Sequence, residues 1–430
     1  MIKLNKIKSN CVAAVILTMC LMTAGCDRNS TSTTTASGSQ TTITSDITKE
    51  DTDVTHADDA ENYRVSITGD FTVTSDTSDG VTQSGSVYTI TKAGEYTVAG
   101  LLSEGQLIVD ASDENEVTIV LNGTSITCSS GSPIYVKNAS EVKIKSEENS
   151  FNEVIDNRTE TTADSSDDAG NAAIYATCDL KFVGKGALVV TGNYNNGIQS
   201  KDDLSIKNVI VKVTAVNNAV KGNDAVDIES GNIIAISAKG DGIKTSPIVN
   251  VTGGYIDVTT ASGDTDGIDS NGNYVQTGGF VLVKGGSSSG NVSGSIDVDG
   301  TVTITGGTCV ALGGVCETPI NSANAYVLSS VSFSSGSYSL KNSSDKEVIS
   351  FTVDGTFGNG WICSDTLTTG TSYTLYRGSD SIADWTQESG TMGASGTGGF
   401  GGGNMGGMGG QNGGNAPDMN GQNGGFGGRR

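Results

Sequence analysis

Asp264-Thr265-Asp266-Gly267-Ile268-Asp269 sets three carboxylates two or three residues apart around a glycine, and Asp241-Gly242-Ile243-Lys244 repeats the same small turn upstream. Hard carboxylate oxygens in a flexible loop are ligands of the kind Ca²⁺ takes, although the spacing is not that of an EF-hand loop. Asp241, Asp264, Asp266 and Asp269 are therefore the candidate metal ligands. Asn and Asp in turns also accept hydrogen bonds from backbone donors, so a purely structural role stands beside the metal reading. Asn196 and Asn218 hold the position of Asp241 and Asp266 in two earlier copies of the turn, and Lys221 and Lys244 directly follow the aliphatic residue of two copies. These four are candidate ligand-binding residues. A neutral lysine beside a cation-acidified uronate could also act as the base of a β-elimination. The bland alternative is that both lysines balance surface charge.

Such residues meet only if the chain stacks their turns. Asn196-Gly197-Ile198, Asn218-Ala219-Val220, Asp241-Gly242-Ile243, Asp266-Gly267-Ile268 and Gly294-Ser295-Ile296 recur with their aliphatic anchors 22, 23, 25 and 28 residues apart. A period in this range marks a solenoid. Apolar residues two apart follow each anchor, as in Val226/Ile228 with Ile233/Ala235 and Val249/Val251 with Ile256/Val258. Short β-branched runs with a period of two are strands with one buried face. Between them lie Ser230-Gly231, Gly253-Gly254, Gly278-Gly279 and Gly306-Gly307, where glycine suits a bend needing positive φ. The expected fold is all-β, a right-handed single-stranded parallel β-helix, with rungs about 4.8 Å apart. Ile174 and Ile134 extend the anchors upstream once the acidic insertion 157–171 is allowed for.

The formal charge of −23 argues against nucleic acid or an anionic bilayer as direct partners. The sole histidine, His56, precedes the repeats, which excludes histidine triads and histidine-based zinc sites within them. Gly is abundant (60 residues), Pro scarce (4) and aromatics 5%, as expected of many short strands and tight turns.

Residues 1–25 read as an export signal, with Lys3, Lys6 and Lys8 ahead of the apolar stretch Val12 to Met22. Thr23-Ala24-Gly25-Cys26 resembles a bacterial lipoprotein box, with Thr23 in place of the usual leucine. That implies lipidation of Cys26 and a place on the extracellular face of the cell membrane, with plain secretion as the alternative. Residues 26–62 form a Ser/Thr/Asp-rich tether, 63–321 the β-helix, 322–389 a C-terminal β cap, and 390–430 a Gly-rich tail too poor in apolar residues to fold. Cys128, Cys178, Cys309, Cys316 and Cys363 show no metal-ligand spacing, and Cys309 sits at an inward position. A Cys309–Cys316 loop closure is open if export is oxidising. Tyr194 and Tyr255 are the aromatic residues that could face out of the coils.

Val117 to Thr127, Ala172 to Tyr175, Gly197 to Leu204, Gly240 to Thr245 and Asp266-Gly267-Ile268 carry a resemblance to the bacterial surface β-helix carbohydrate-binding domain family, which is similar in fold to pectate lyases. The resemblance implies a non-catalytic, calcium-containing protein that binds polysaccharide, including acidic pectic chains of plant cell walls. Two other classes stay open: a calcium-dependent uronate lyase using Lys221 or Lys244, and a scaffold or adhesion protein acting through its tail.

Overall fold

A computed structural model describes residues 58–159, 170–261, 265–285, 294–314, 320–322 and 324–389. The expectations for the export signal, the lipidated Cys26, most of the tether, Asp264, Cys316 and the Gly-rich tail lie outside the described residues.

Each coil of the repeat makes three strands, as in Asn196–Ser200, Leu204–Ile206 and Ile210–Ala215. The first of the three joins a ten-stranded sheet; the other two join a twenty-stranded sheet that wraps the remaining sides. About eight turns stack into an all-β solenoid, a parallel β-helix. Ile134, Ile174, Ile198, Val220, Ile243, Ile268 and Ile296 are successive register partners in the ten-stranded sheet. Each is at most 1% exposed. Burial of one such side chain contributes about 1.5–3 kcal/mol, so a row of them outweighs any local preference of a single coil.

The other inward rows behave alike: Leu204, Val226, Val249, Tyr274 and Val302 pair in sequence on the next side. Tyr274 is the polar exception, and its hydroxyl donates to Gln276 Oε1 at 2.9 Å. Gln276 in turn donates to the Thr308 carbonyl at 3.0 Å, which satisfies an otherwise costly buried amide. Gly231, Gly254, Gly279 and Gly307 form the bend row, with φ of 106°, 89°, 74° and 76°. That left-handed backbone is the reason for glycine there.

Both ends of the solenoid are covered. At the N-terminal end, Val81–Ser84 pairs antiparallel with Val87–Ile90. The short 3₁₀ helix Ala60–Tyr63 packs on the outer side, where Asp59 meets Lys212 and Arg64 meets Glu153, each at 2.7 Å. At the other end Gly360–Ser364 runs antiparallel to Thr308–Leu312 and closes the last rung. A four-stranded antiparallel sheet then covers Leu282, Val310 and Leu312 with Phe333, Tyr338 and Phe351. The strand Ala325–Leu328 joins the solenoid sheet rather than this separate one. The base of the acidic insertion is pinned by Arg158, which donates to the buried Asp156 at 2.6 Å and lies 4.0 Å over the Tyr194 ring.

The turn glycines ahead of the anchors are held by close approach. A Cβ on Gly267 would lie 2.0 Å from Val283 Cγ1 and 2.6 Å from the Ser295 carbonyl. Gly267→Ala should lower stability by about 1–3 kcal/mol, read from the urea midpoint, with no change in circular dichroism of the remaining native protein.

Candidate functional site

The Asn/Asp position ahead of each anchor forms a hydrogen-bonded ladder between coils. Asn196 Oδ1 accepts the Asn218 amide at 3.0 Å, and Asn218 Oδ1 accepts the Asp241 amide at 3.0 Å. Asp241 Oδ1 accepts the Asp266 amide at 2.9 Å, and Asp266 Oδ1 accepts the Gly294 amide at 2.7 Å. One side-chain oxygen in each coil thus satisfies a backbone donor of the next coil that would otherwise be buried without a partner. Asn196 and Asn218 are 3% and 6% exposed and fully engaged in this ladder. Their side chains, expected as ligand contacts, are taken up by hydrogen bonds within the protein.

The residue after each inward anchor points the other way and makes an outward row. Tyr135, Tyr175, Gln199, Lys221, Lys244, Asp269 and Asp297 are consecutive register partners. Tyr135 and Tyr175 meet edge-on at 5.5 Å and are buried, as is Gln199, which accepts from Asn196 Nδ2 at 2.8 Å. From Lys221 onward the row reaches solvent.

Three of the four predicted metal ligands come together: carboxylate oxygens of Asp241, Asp266 and Asp269 lie within 4.8 Å of one another. The free oxygen of Asp241 does not face solvent alone, because Lys244 Nζ donates to Asp241 Oδ2 at 2.7 Å and to Asp269 Oδ2 as well. Burial disfavours the Lys244 ammonium, but its hydrogen bonds to Asp241 and Asp269 together outweigh that and hold its pKa above the ordinary lysine range. Asp266 is 9% exposed, and burial pushes its carboxyl up to about 7 against the opposing effect of the Gly294 N–H. Burial also raises Asp269, with Lys244 opposing.

Lys221 stacks directly on Lys244, as expected, yet its surroundings differ. It makes no ion pair or hydrogen bond among the described residues, and burial, then the Lys244 charge, lower its pKa. It lines an open groove of about 710 Å³ with Asn223, Asp224, Lys244, Ser246 and Asn271.

Several outcomes were not foreseen. Asp227 lines a separate, smaller acidic cavity of about 330 Å³ together with Asp179 and Asp203, and accepts from Asn250 Nδ2 at 2.7 Å. Tyr255 lies on the outer side of its strand but does not reach solvent; it is 2% exposed and stacks on Phe280 at 4.9 Å. Asp297, Tyr135 and Tyr175 share the offset of Lys221 from their anchors, so counting that one position through every coil finds them.

A family model described as carbohydrate-binding domain-containing protein matches residues 84–346. A protein of that description from Acetivibrio thermocellus is 39% identical over 142 residues, which is 33% of this chain and 50% of the relative. The chain thus spans about half the length of the curated relative it matches. The solved structure of a polysaccharide lyase-like protein from C. thermocellum, a gadolinium derivative, is 32% identical, covering 57% of this chain and 91% of that one, with a TM-score of 0.39. With its family match spanning most of the parallel β-helix, this chain belongs to the carbohydrate-binding domain-containing protein family.

Proposed function

We propose that the chain is a non-catalytic polysaccharide-binding module whose ligand lies along the outward row of the ten-stranded sheet, and that its ligands are acidic, pectic or other plant cell-wall glycans. The single observation that carries this reading is the in-register sequence Lys221, Lys244, Asp269, Asp297, one polar side chain per coil. A repeating polymer meets repeating groups at a spacing of about 4.8 Å. Family membership supports a carbohydrate as the partner.

Calcium is part of the proposal. Asp241, Asp266 and Asp269 supply hard oxygen donors of the right type, and a bound ion would add positive charge for uronate carboxylates. The Lys244 ammonium already lies between Asp241 and Asp269, so metal and lysine compete for the same oxygens. The cell-surface placement rests on the lipidation motif at Cys26; Cys26→Ser should move the protein from the membrane fraction to the medium.

A uronate lyase is the second reading, favoured by one observation: the lowered pKa of Lys221 suits a neutral base. Lys244, the other candidate base, is held charged by two carboxylates and does not suit that role.

Purified protein should be retained on a polygalacturonate affinity gel without releasing ultraviolet-absorbing unsaturated ends; release of such ends at high protein load would replace the binding reading with the lyase. In calorimetry, Ca²⁺ binding should vanish in Asp241→Asn/Asp269→Asn and tighten in Lys244→Met; an isotherm indifferent to all three changes removes the metal from the account. Under chelation, native Asp266 keeps a proton that the unfolded chain, at an ordinary Asp pKa of about 3.9, gives up. Stability should therefore rise as pH falls from about 7 towards 4. Asp266→Asn retains the ladder oxygen, and should flatten that slope and add on the order of 1–3 kcal/mol at pH 8.

A further inference from the structure

Among the solvent-reaching members of the outward row, the two lysines are in opposite states. Lys244 is neutralised by Asp241 and Asp269. Lys221, one coil away, has no carboxylate within ion-pair distance among the described residues, although the chain carries a net charge of −23. Lys181, Lys212 and Lys284, by contrast, are each closed by an acid, Glu141, Asp59 and Asp257 in turn. A half-buried ammonium without a partner is costly, and a second lysine stacked in the adjacent coil adds repulsion. The like charges of Lys201 and Lys244 both act on Lys221, while Asp241 and Asp269 attract it only from a distance, since Lys244 stands between. The fold therefore holds one under-compensated positive charge at the wall of the groove, with the amides of Asn223 and Asn271 and the hydroxyl of Ser246 also lining it.

Resting on the polysaccharide-binding reading, we infer that Lys221 is the residue that selects acidic over neutral sugar units, by pairing its ammonium with a uronate carboxylate in this groove, while the charge of Lys244 is spent on the aspartates and does not discriminate between the two kinds of unit. The carboxylate completes the ion pair that the chain itself leaves open. The charge-assisted hydrogen bond forms where both groups are partly desolvated, which is where such pairs discriminate most. Asp224 on the same groove accepts a sugar hydroxyl and disfavours a ligand whose carboxylate enters from the wrong side.

The test is calorimetry with two probes of one backbone, oligogalacturonate and its fully methyl-esterified form, on wild type, Lys221→Met, Lys221→Arg and Lys244→Met. Wild type should bind the acid form at least about tenfold more tightly than the ester, corresponding to about 1.4 kcal/mol. Lys221→Met should lose affinity for the acid form until it binds acid and ester alike, with a thermal midpoint no lower than that of wild type. Lys221→Arg should restore discrimination, and Lys244→Met should lower the thermal midpoint while keeping the preference for acid. Discrimination that survives in Lys221→Met overturns the inference and leaves the binding module intact. A wild type that binds the ester as well as the acid does the same. Unsaturated ends formed by wild type and lost in Lys221→Met would make this lysine a base instead. A wild type that retains no polymer at all overturns the module reading itself.

Discussion

Everything in this molecule depends on one coil lying in register on the next. A single rung of three short strands has no partner within itself for its backbone groups and no second layer to bury its aliphatic side chains. Both needs are met only across the inter-coil step. The Asn/Asp ladder from Asn196 to Gly294 is where that dependence is most exposed, because side-chain oxygens there complete the backbone pairing at a turn that strands leave open. Once the ladder fixes the turn, the anchor after it points inward and the residue after that points outward. The inward row is the core and the outward row is the candidate site.

This arrangement separates two roles that look identical along the chain. Asn196, Asn218, Asp241 and Asp266 occupy one column, yet the asparagines end in the ladder while the aspartates have a second oxygen to use. In Asp241 that oxygen binds Lys244, which also holds Asp269 from the following coil. The carboxylate cluster is consequently compact without an added ion, and the positive charge of the face is concentrated on Lys221 rather than shared by two lysines.

The fold was legible because its period is written in the anchors. Intervals of 22 to 28 residues, a residue pair of period two after each anchor, and glycine at the bend specify rungs, and Ile243 indeed lies on Ile268. The cluster of Asp241, Asp266 and Asp269 followed from the same register. What could not be read was the pairing of side chains that reach across coils. Lys244 is separated from Asp269 by 25 residues, and choosing it over Lys221 depends on which coil brings an acid alongside. Tyr255 does lie on the outer side, but Phe280 of the next coil covers its ring. Sequence spacing supplies the row; neighbours that are remote in the chain decide what each member does.

The most direct test of the register claim is hydrogen exchange followed by mass spectrometry on wild type and Asn218→Ala. The Asp241 amide donates to a side chain one coil away. Removal of that acceptor should speed exchange in the peptide covering residues 238–245 by roughly tenfold or more, while peptides covering the strands Asn232–Ser237 and Tyr255–Thr260 keep their protection. Unchanged exchange at 238–245 would contradict the stacking on which the core, the carboxylate cluster and the lysine row are all built.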